Sequence, residues 1–251
     1  MPEERIELKA ADGSPLAGLW RRPEGPGPWP SVACIHGLTL SKAIFDEPAA
    51  ALEAQGVASL RLDLRGQGES GGRLQDQGFD DQTADVRSAL EALALLPGAD
   101  PARRGLLGFS MGGAMGALVS AGAGVKALAL WSPLLKTGFW DAERQQQYGP
   151  PDGEFQPIWD GVLVSRRLFS EALAHDPYGA ALAWPGPFLV CHGGKDRNHP
   201  QARSVELAAA RQAQAKPVTA CFPPLSGHRY HHEAERRLRD AVTAAFFGSC
   251  L

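Results

Sequence analysis

Six short apolar runs recur along this chain: SVACIHG (31–37), VASLRLDL (57–64), RGLLGFS (104–110), VKALALWS (125–132), PFLVCHG (187–193) and PVTACFP (217–223). Several are apolar at consecutive positions rather than at every second one. Such a strand needs cover on both faces, which a parallel sheet flanked by helices provides. The intervening segments suit that role. FDEPAAALEAQG ends at Gly56, a C-cap residue, and DDQTADVRSALEALALLPG opens on aspartates and stops at Pro-Gly. HPQARSVELAAARQAQAK and HEAERRLRDAVTAAFFG supply two more helices. RIELKA and PLAGLWRRP read as a leading antiparallel pair, followed by the turn-rich connector RRPEGPGPWP (21–30). The expected fold is α/β: a doubly wound, mostly parallel sheet of eight strands in a single domain spanning residues 1–251.

One interval breaks the rhythm. Residues 133–183 show no clear strand yet carry Phe139, Trp140, Tyr148, Phe155, Trp159, Phe169 and Tyr178. A structureless loop of that length is foreign to a compact domain, so a small, mainly helical insertion is expected there. Composition narrows the partners. A net charge of −3 gives no general attraction toward nucleic acid or anionic membranes. No apolar run approaches the roughly 18 residues of a membrane span. The start, MPEERIELKA, lacks a basic segment leading into an apolar one, so a cytoplasmic protein is expected, as monomer or homodimer. Cys34, Cys191 and Cys221 lie in strand-like runs and Cys250 far from them, which suits free thiols better than disulfides or zinc.

The pattern G-x-S-x-G occurs twice, as GESGG (68–72) and GFSMG (108–112). Context separates them. GFSMG follows the apolar run RGLL and opens a helix of small residues, MGGAMGALVSAG, the strand–turn–helix that holds a serine on a tight elbow. That helix start also directs backbone N–H groups and its positive dipole end toward a developing oxyanion. GESGG ends a loop with no apolar helix after it. Ser110 is therefore the candidate nucleophile and Ser70 a loop residue. A serine needs a base, and the base needs an orienting group. Asp196 lies just past the run PFLVCHG, and His228 just past PVTACFP. The order Ser…Asp…His, each after a strand, is the order this architecture requires.

The landmarks CIHG (34–37), DLRGQGES (63–70), GFSMGG (108–113), HGGKD (192–196) and SGH (226–228) resemble those of the α/β-hydrolase superfamily. The resemblance spans essentially the whole chain. It is strongest to the branch of small carboxylesterases, monoacylglycerol lipases, cinnamoyl esterases and serine aminopeptidases. It implies a Ser110–Asp196–His228 triad, with the backbone N–H groups of Leu38 and Met111 as oxyanion donors. It places residues 133–183 as a cap between the sixth and seventh core strands. Some members carry the acid after the sixth strand, which makes Asp141 the runner-up. The implied chemistry is acyl transfer on a small-molecule ester, without a cofactor.

An aromatic cap suits an apolar acyl or aryl group, with Phe139, Trp140 and Trp159 lining the pocket; the same rings could equally form the cap's own core. An aminopeptidase or thioesterase is the second reading, with Asp141, Glu143, Asp152, Glu154 and Asp160 as candidate amine clamps. A non-catalytic binding module is the remote one. The stretch SGHRYHHE (226–233) could also hold a metal, since His228, His231 and His232 would share a helix face. The turn-like PPLSG before it and the absence of H-E-x-x-H argue against that, so no metal site is expected. His231 and His232 read as polar residues at a helix start, and His36 as a brace for the loop after its strand.

Overall fold

A computed structural model describes residues 3–137, 155–158 and 161–251. The chain opens with strands β1 (Glu4–Lys9) and β2 (Pro15–Arg21), then runs through β3 (Trp29–Ile35), helix α1 (Asp46–Ala54) and β4 (Ala58–Leu62). Helix α2 (Phe79–Leu93), strand β5 (Ala99–Phe109), helix α3 (Met111–Ser120) and β6 (Ala127–Trp131) follow. After β6 come two short strands, β7 (Phe155–Pro157) and β8 (Leu163–Ser165), and helices α4 (Arg166–Ala172) and α5 (Pro177–Ala183). Strand β9 (Phe188–Cys191), helix α6 (Gln201–Ala213), β10 (Thr219–Cys221) and α7 (Glu233–Cys250) complete the fold.

Eight strands form one sheet in the order β1-β2-β4-β3-β5-β6-β9-β10. Only β1–β2 and β2–β4 are antiparallel, and every later pairing is parallel. The order has a switch at β3, which pairs with β4 on one side and β5 on the other. Successive crossovers leave in opposite directions there, and in such sheets ligands bind beyond the carboxyl ends of the strands at the switch. In register, Ile35 stands opposite Gly108, Phe109 opposite Trp131, and Trp131 opposite Cys191. The loops after β3, β5 and β9 therefore emerge at one level.

Alternation along the strands explains why the apolar runs are continuous. Ala33, Ile35, Leu106, Leu128, Leu130 and Val190 face one core, shared with α2, α3 and α6. Val32, Cys34, Leu107, Phe109, Ala129, Trp131, Leu189 and Cys191 face the other, shared with α1 and α7. Each fully buried Val, Leu, Ile or Phe among them contributes about 1.5–3 kcal/mol relative to exposure. Trp131 locks α7 to the sheet: its indole N–H donates to Thr243 Oγ1 at 3.0 Å, and the Arg239 guanidinium lies 3.7 Å from the ring centre. The four cysteines are free thiols. Among the described residues no helix is long and apolar enough to cross a membrane.

Two expectations need adjustment. The insertion after β6 holds strands as well as helices, because β7 and β8 pair antiparallel with each other. At three residues each they are too short to produce a periodic signal. Strand β10 covers only residues 219–221 of the expected 217–223, since it is the exposed edge of the sheet and pairs on one side alone.

Helix α3 lies unusually close to the strands. A Cβ on Gly108 would stand 2.5 Å from the Gly112 carbonyl oxygen and 2.7 Å from Gly113 Cα, both backbone atoms that cannot rotate away. We expect Gly108→Ala to cost about 2–3 kcal/mol, a fall in Tm of roughly 5–10 °C. Gly122→Ala, where nothing lies within 4 Å, should leave Tm unchanged or raise it slightly. Thermal unfolding of the two variants checks this, and equal effects would contradict it.

Candidate active site

Ser110 sits at the turn from β5 into α3 with φ 57° and ψ −118°, a conformation costly for a residue with a Cβ. Neighbours hold it there. Its N–H donates to Trp131 O at 2.9 Å, and its carbonyl accepts from Gly113, Ala114 and Leu134 N–H groups at 3.0–3.2 Å. The hydroxyl is directed at the loop after β10, where it meets His228. His228 Nε2 lies 3.0 Å from Ser110 Oγ, and His228 Nδ1 lies 2.7 Å from Asp196 Oδ2. Because a carboxylate only accepts, Nδ1 carries the proton, and Nε2 is left to accept from the Ser110 hydroxyl. Both side chains are nearly buried, with His228 only 11% exposed.

Asp196 is held by four donors. Its Oδ1 accepts from the N–H groups of Asn198 (2.7 Å) and His199 (3.0 Å). Its Oδ2 is shared by His228 and by His192 Nε2 at 3.0 Å. Burial alone would raise the carboxyl's pKa, but the hydrogen bonds from His192, His228 and the loop backbone outweigh it and hold the group far below the usual carboxylate range. His192 Nε2 faces only acceptors, Asp196 and the His199 carbonyl at 3.2 Å, so it is protonated. Its Nδ1 pairs with Ser204 Oγ at 2.8 Å, which ties the acid to α6. The loops after β9 and β10 are clasped together by Gly194 N–H to Pro223 O (2.8 Å) and Lys195 N–H to Ser226 O (2.9 Å). Glu235 of α7 accepts from the Leu225 N–H and steadies the approach to His228.

The loop after β3 lies on the other side of Ser110. A Cβ at Gly37 would stand 2.8 Å from Ser110 Cβ, so only glycine permits this approach. His36 is fully buried. Its Nε2 accepts from Leu64 N–H (3.0 Å), which leaves Nδ1 to donate to Gly37 O (2.7 Å). Burial pushes the imidazole's pKa down, in keeping with a neutral brace. Thr39 N–H donates to Gln67 Oε1 at 2.6 Å. The DLRGQGES segment thus supports this loop, and its other side chains bind inward. Asp63 accepts from Lys42 Nζ (2.5 Å) and Lys42 N–H (2.6 Å), and Arg65 Nε and Nη2 both reach Asp85 Oδ1. Ser70 Oγ donates to Asp63 O (2.6 Å) and accepts from Ala17 N–H (2.9 Å), which makes it a stitch between strands.

Ser110, Asp196 and His228 are therefore brought together, and Leu38 and Met111 lie in the loop and helix start that flank Ser110. Phe139, Trp140 and Trp159 lie outside the described residues, as does Asp141. His231 and His232 are exposed at the start of α7. Among the described residues no group of three or more His, Cys, Asp or Glu is placed to hold a metal ion. Sequence reasoning assigned nothing to His192 and His199, although both flank Asp196 in HGGKDRNHP, and that clustering was the available signal.

Residues 28–148 match the serine aminopeptidase S33 family. A Mycobacterium tuberculosis protein of uncharacterised activity is 31% identical over 224 residues, covering 89% of this chain and 71% of its own. The chain belongs to the α/β-hydrolase superfamily. Solved structures agree on the fold. Est1E from Butyrivibrio proteoclasticus, with ferulic acid bound, superposes with a TM-score of 0.84 at 21% identity over 98% of both chains. The esterase domain of a Rhodothermus marinus protein gives 0.75 at 19% identity over 99% of both.

The environment of Asp196 sets a pH-dependent stability for the chain. A carboxyl whose folded pKa is lowered stabilises the fold above its unfolded pKa of about 3.9, and that contribution fades as pH falls toward the folded value. Asp196→Asn should cost roughly 3 kcal/mol at pH 5, because an amide N–H would face the imidazole donors. At pH 3 the gap from wild type should be narrower by roughly 1 kcal/mol. Urea unfolding at the two pH values measures it, and a gap independent of pH would contradict the four-donor account.

Proposed function

We propose that the protein is a serine hydrolase that cleaves carboxylic esters through an acyl-enzyme. The observation that carries this reading is the chain of two hydrogen bonds, 3.0 Å from Ser110 to His228 and 2.7 Å from His228 to Asp196, on the loops after three parallel strands. Ser110 Oγ attacks the ester carbonyl carbon while its proton passes to His228 Nε2. Asp196 holds the imidazole tautomer and stabilises the imidazolium. The carbonyl oxygen becomes an oxyanion that meets the N–H groups of Leu38 and Met111. Met111 is the first residue of α3, where backbone N–H groups have no partner within the helix. The intermediate collapses, the C–O bond breaks, and the alkoxide takes the proton from His228. Water, deprotonated by the same imidazole, then releases the acid and restores Ser110.

Ester is favoured over amide by the likeness to Est1E and to the Rhodothermus marinus esterase domain. The matched family's description keeps aminopeptidase as the second reading. Asp141, Glu143, Asp152, Glu154 and Asp160, which could hold an amine, lie outside the described residues. The aromatic residues of the insertion favour an apolar acyl or aryl group. A cytoplasmic setting and a monomer or homodimer complete the proposal.

Ser110→Ala should lower kcat on p-nitrophenyl esters by on the order of 10⁴-fold or more, with His228→Ala close behind. Ser70→Ala should keep most activity at matched folded fraction, and so should His231→Ala and His232→Ala. Chelators should have no effect. An organophosphonate should label Ser110 alone, and labelling that persists in Ser110→Ala would remove the serine from the mechanism. Ester kcat/KM should exceed that on aminoacyl anilides by orders of magnitude; parity would favour the peptidase.

A further inference from the structure

A third histidine stands at the nucleophile. His199 Nε2 lies 3.4 Å from Ser110 Oγ, and its ring meets His228 edge-on, with centroids 5.0 Å apart and planes at 81°. Its backbone is anchored to the same network, the N–H to Asp196 Oδ1 and the carbonyl to His192 Nε2. Ser110 Oγ has one proton, and in the reactive arrangement that proton points to His228. In the Nε2–H tautomer of His199 the contact then directs an N–H at a lone pair of Oγ.

We infer that His199 is a second catalytic histidine, acting on the leaving-group side of the reaction; the inference rests on the proposed triad. When Oγ is acylated it becomes an ester oxygen and a poor acceptor, so the His199 N–H is released from it. Meanwhile the leaving oxygen must come within hydrogen-bond reach of His228 Nε2 to collect its proton. That position borders both imidazoles, because His199 Nε2 and His228 Nε2 both reach Oγ. His199 donates a hydrogen bond to the oxygen as the C–O bond breaks and negative charge gathers on it. His228 still supplies the proton, so the balance of the reaction is unchanged. In the second half-reaction the attacking water takes the same place. The substrates served best are esters of ordinary aliphatic alcohols, whose alkoxides need stabilisation, and nitrophenyl esters gain little.

The test compares His199→Phe, which keeps a ring against His228 but has no N–H, with His199→Gln, which keeps a donor. Active sites are titrated with a nitrophenyl phosphonate, so that misfolded protein is not counted. Across acetates graded in alcohol pKa, His199→Phe should lose no more than about threefold in kcat/KM on the nitrophenyl ester. On alkyl esters it should lose about 30-fold or more, the range of one hydrogen bond to a charged oxygen. His199→Gln should recover most of the alkyl-ester rate. A uniform loss across the series, or none, would overturn the role of His199 while leaving the triad in place. Full activity in a parallel Ser110→Ala sample would overturn the triad and this inference with it.

Discussion

The close approach of helix α3 to strands β3 and β5 is the constraint on which the rest of the structure depends. Three backbones meet where Gly37, Gly108 and Gly112 lie, and a Cβ at any of them would collide with neighbouring atoms. This contact forces the chain through a left-handed turn at Ser110 rather than at a glycine. The serine is accepted there because hydrogen bonds from β6 and α3 fix its own peptide groups. The same contact sets the N-terminus of α3 and the loop after β3 side by side. The proposed nucleophile and the proposed anion-stabilising backbone are thus products of one packing event.

Around that point the sheet supplies aligned exits, and charge supplies the precision. Asp196 gathers four hydrogen bonds from three directions and thereby joins the loop after β9, helix α6 and the loop after β10. A buried carboxylate is expensive unless its lone pairs are satisfied, and here that requirement fixes the two loops in one arrangement. His228 is held from below by Asp196 and from the side by the Phe109 ring, 5.0 Å between centroids. The imidazole is held in position by the fold itself, the preorganisation that the proposed mechanism requires.

On the opposite side, buried ion pairs do comparable work. Asp63 and Asp85 are fully enclosed, and Lys42 and Arg65 satisfy them while making further bonds to Glu69 and Asp12. Hydrophobic side chains of similar volume could match their stability, but not their direction. These pairs hold the segment that carries Gln67, and Gln67 in turn holds Thr39 beside Leu38. The chain of support runs from acidic residues of a loop to a single backbone N–H.

The fold was legible because parallel strands covered on both faces cannot avoid continuous apolar runs, and helices cannot avoid caps. Even the decoy serine could be set aside, since no apolar helix opens directly from GESGG. Short pairings escaped notice: β7 and β8 carry three residues each, too few for a period to emerge. His192 and His199 escaped for another reason. A histidine near Asp196 in sequence can point anywhere, and its hydrogen-bond partners are chosen by loops that meet only in space. By itself the sequence determined the order of strands and helices and which serine, aspartate and histidine follow which strand, because periodicity and turn chemistry are local. Only the tertiary structure decided that Asp196 is shared by two imidazoles and that a second histidine reaches Ser110. Those contacts join segments up to 118 residues apart, and no local rule couples them.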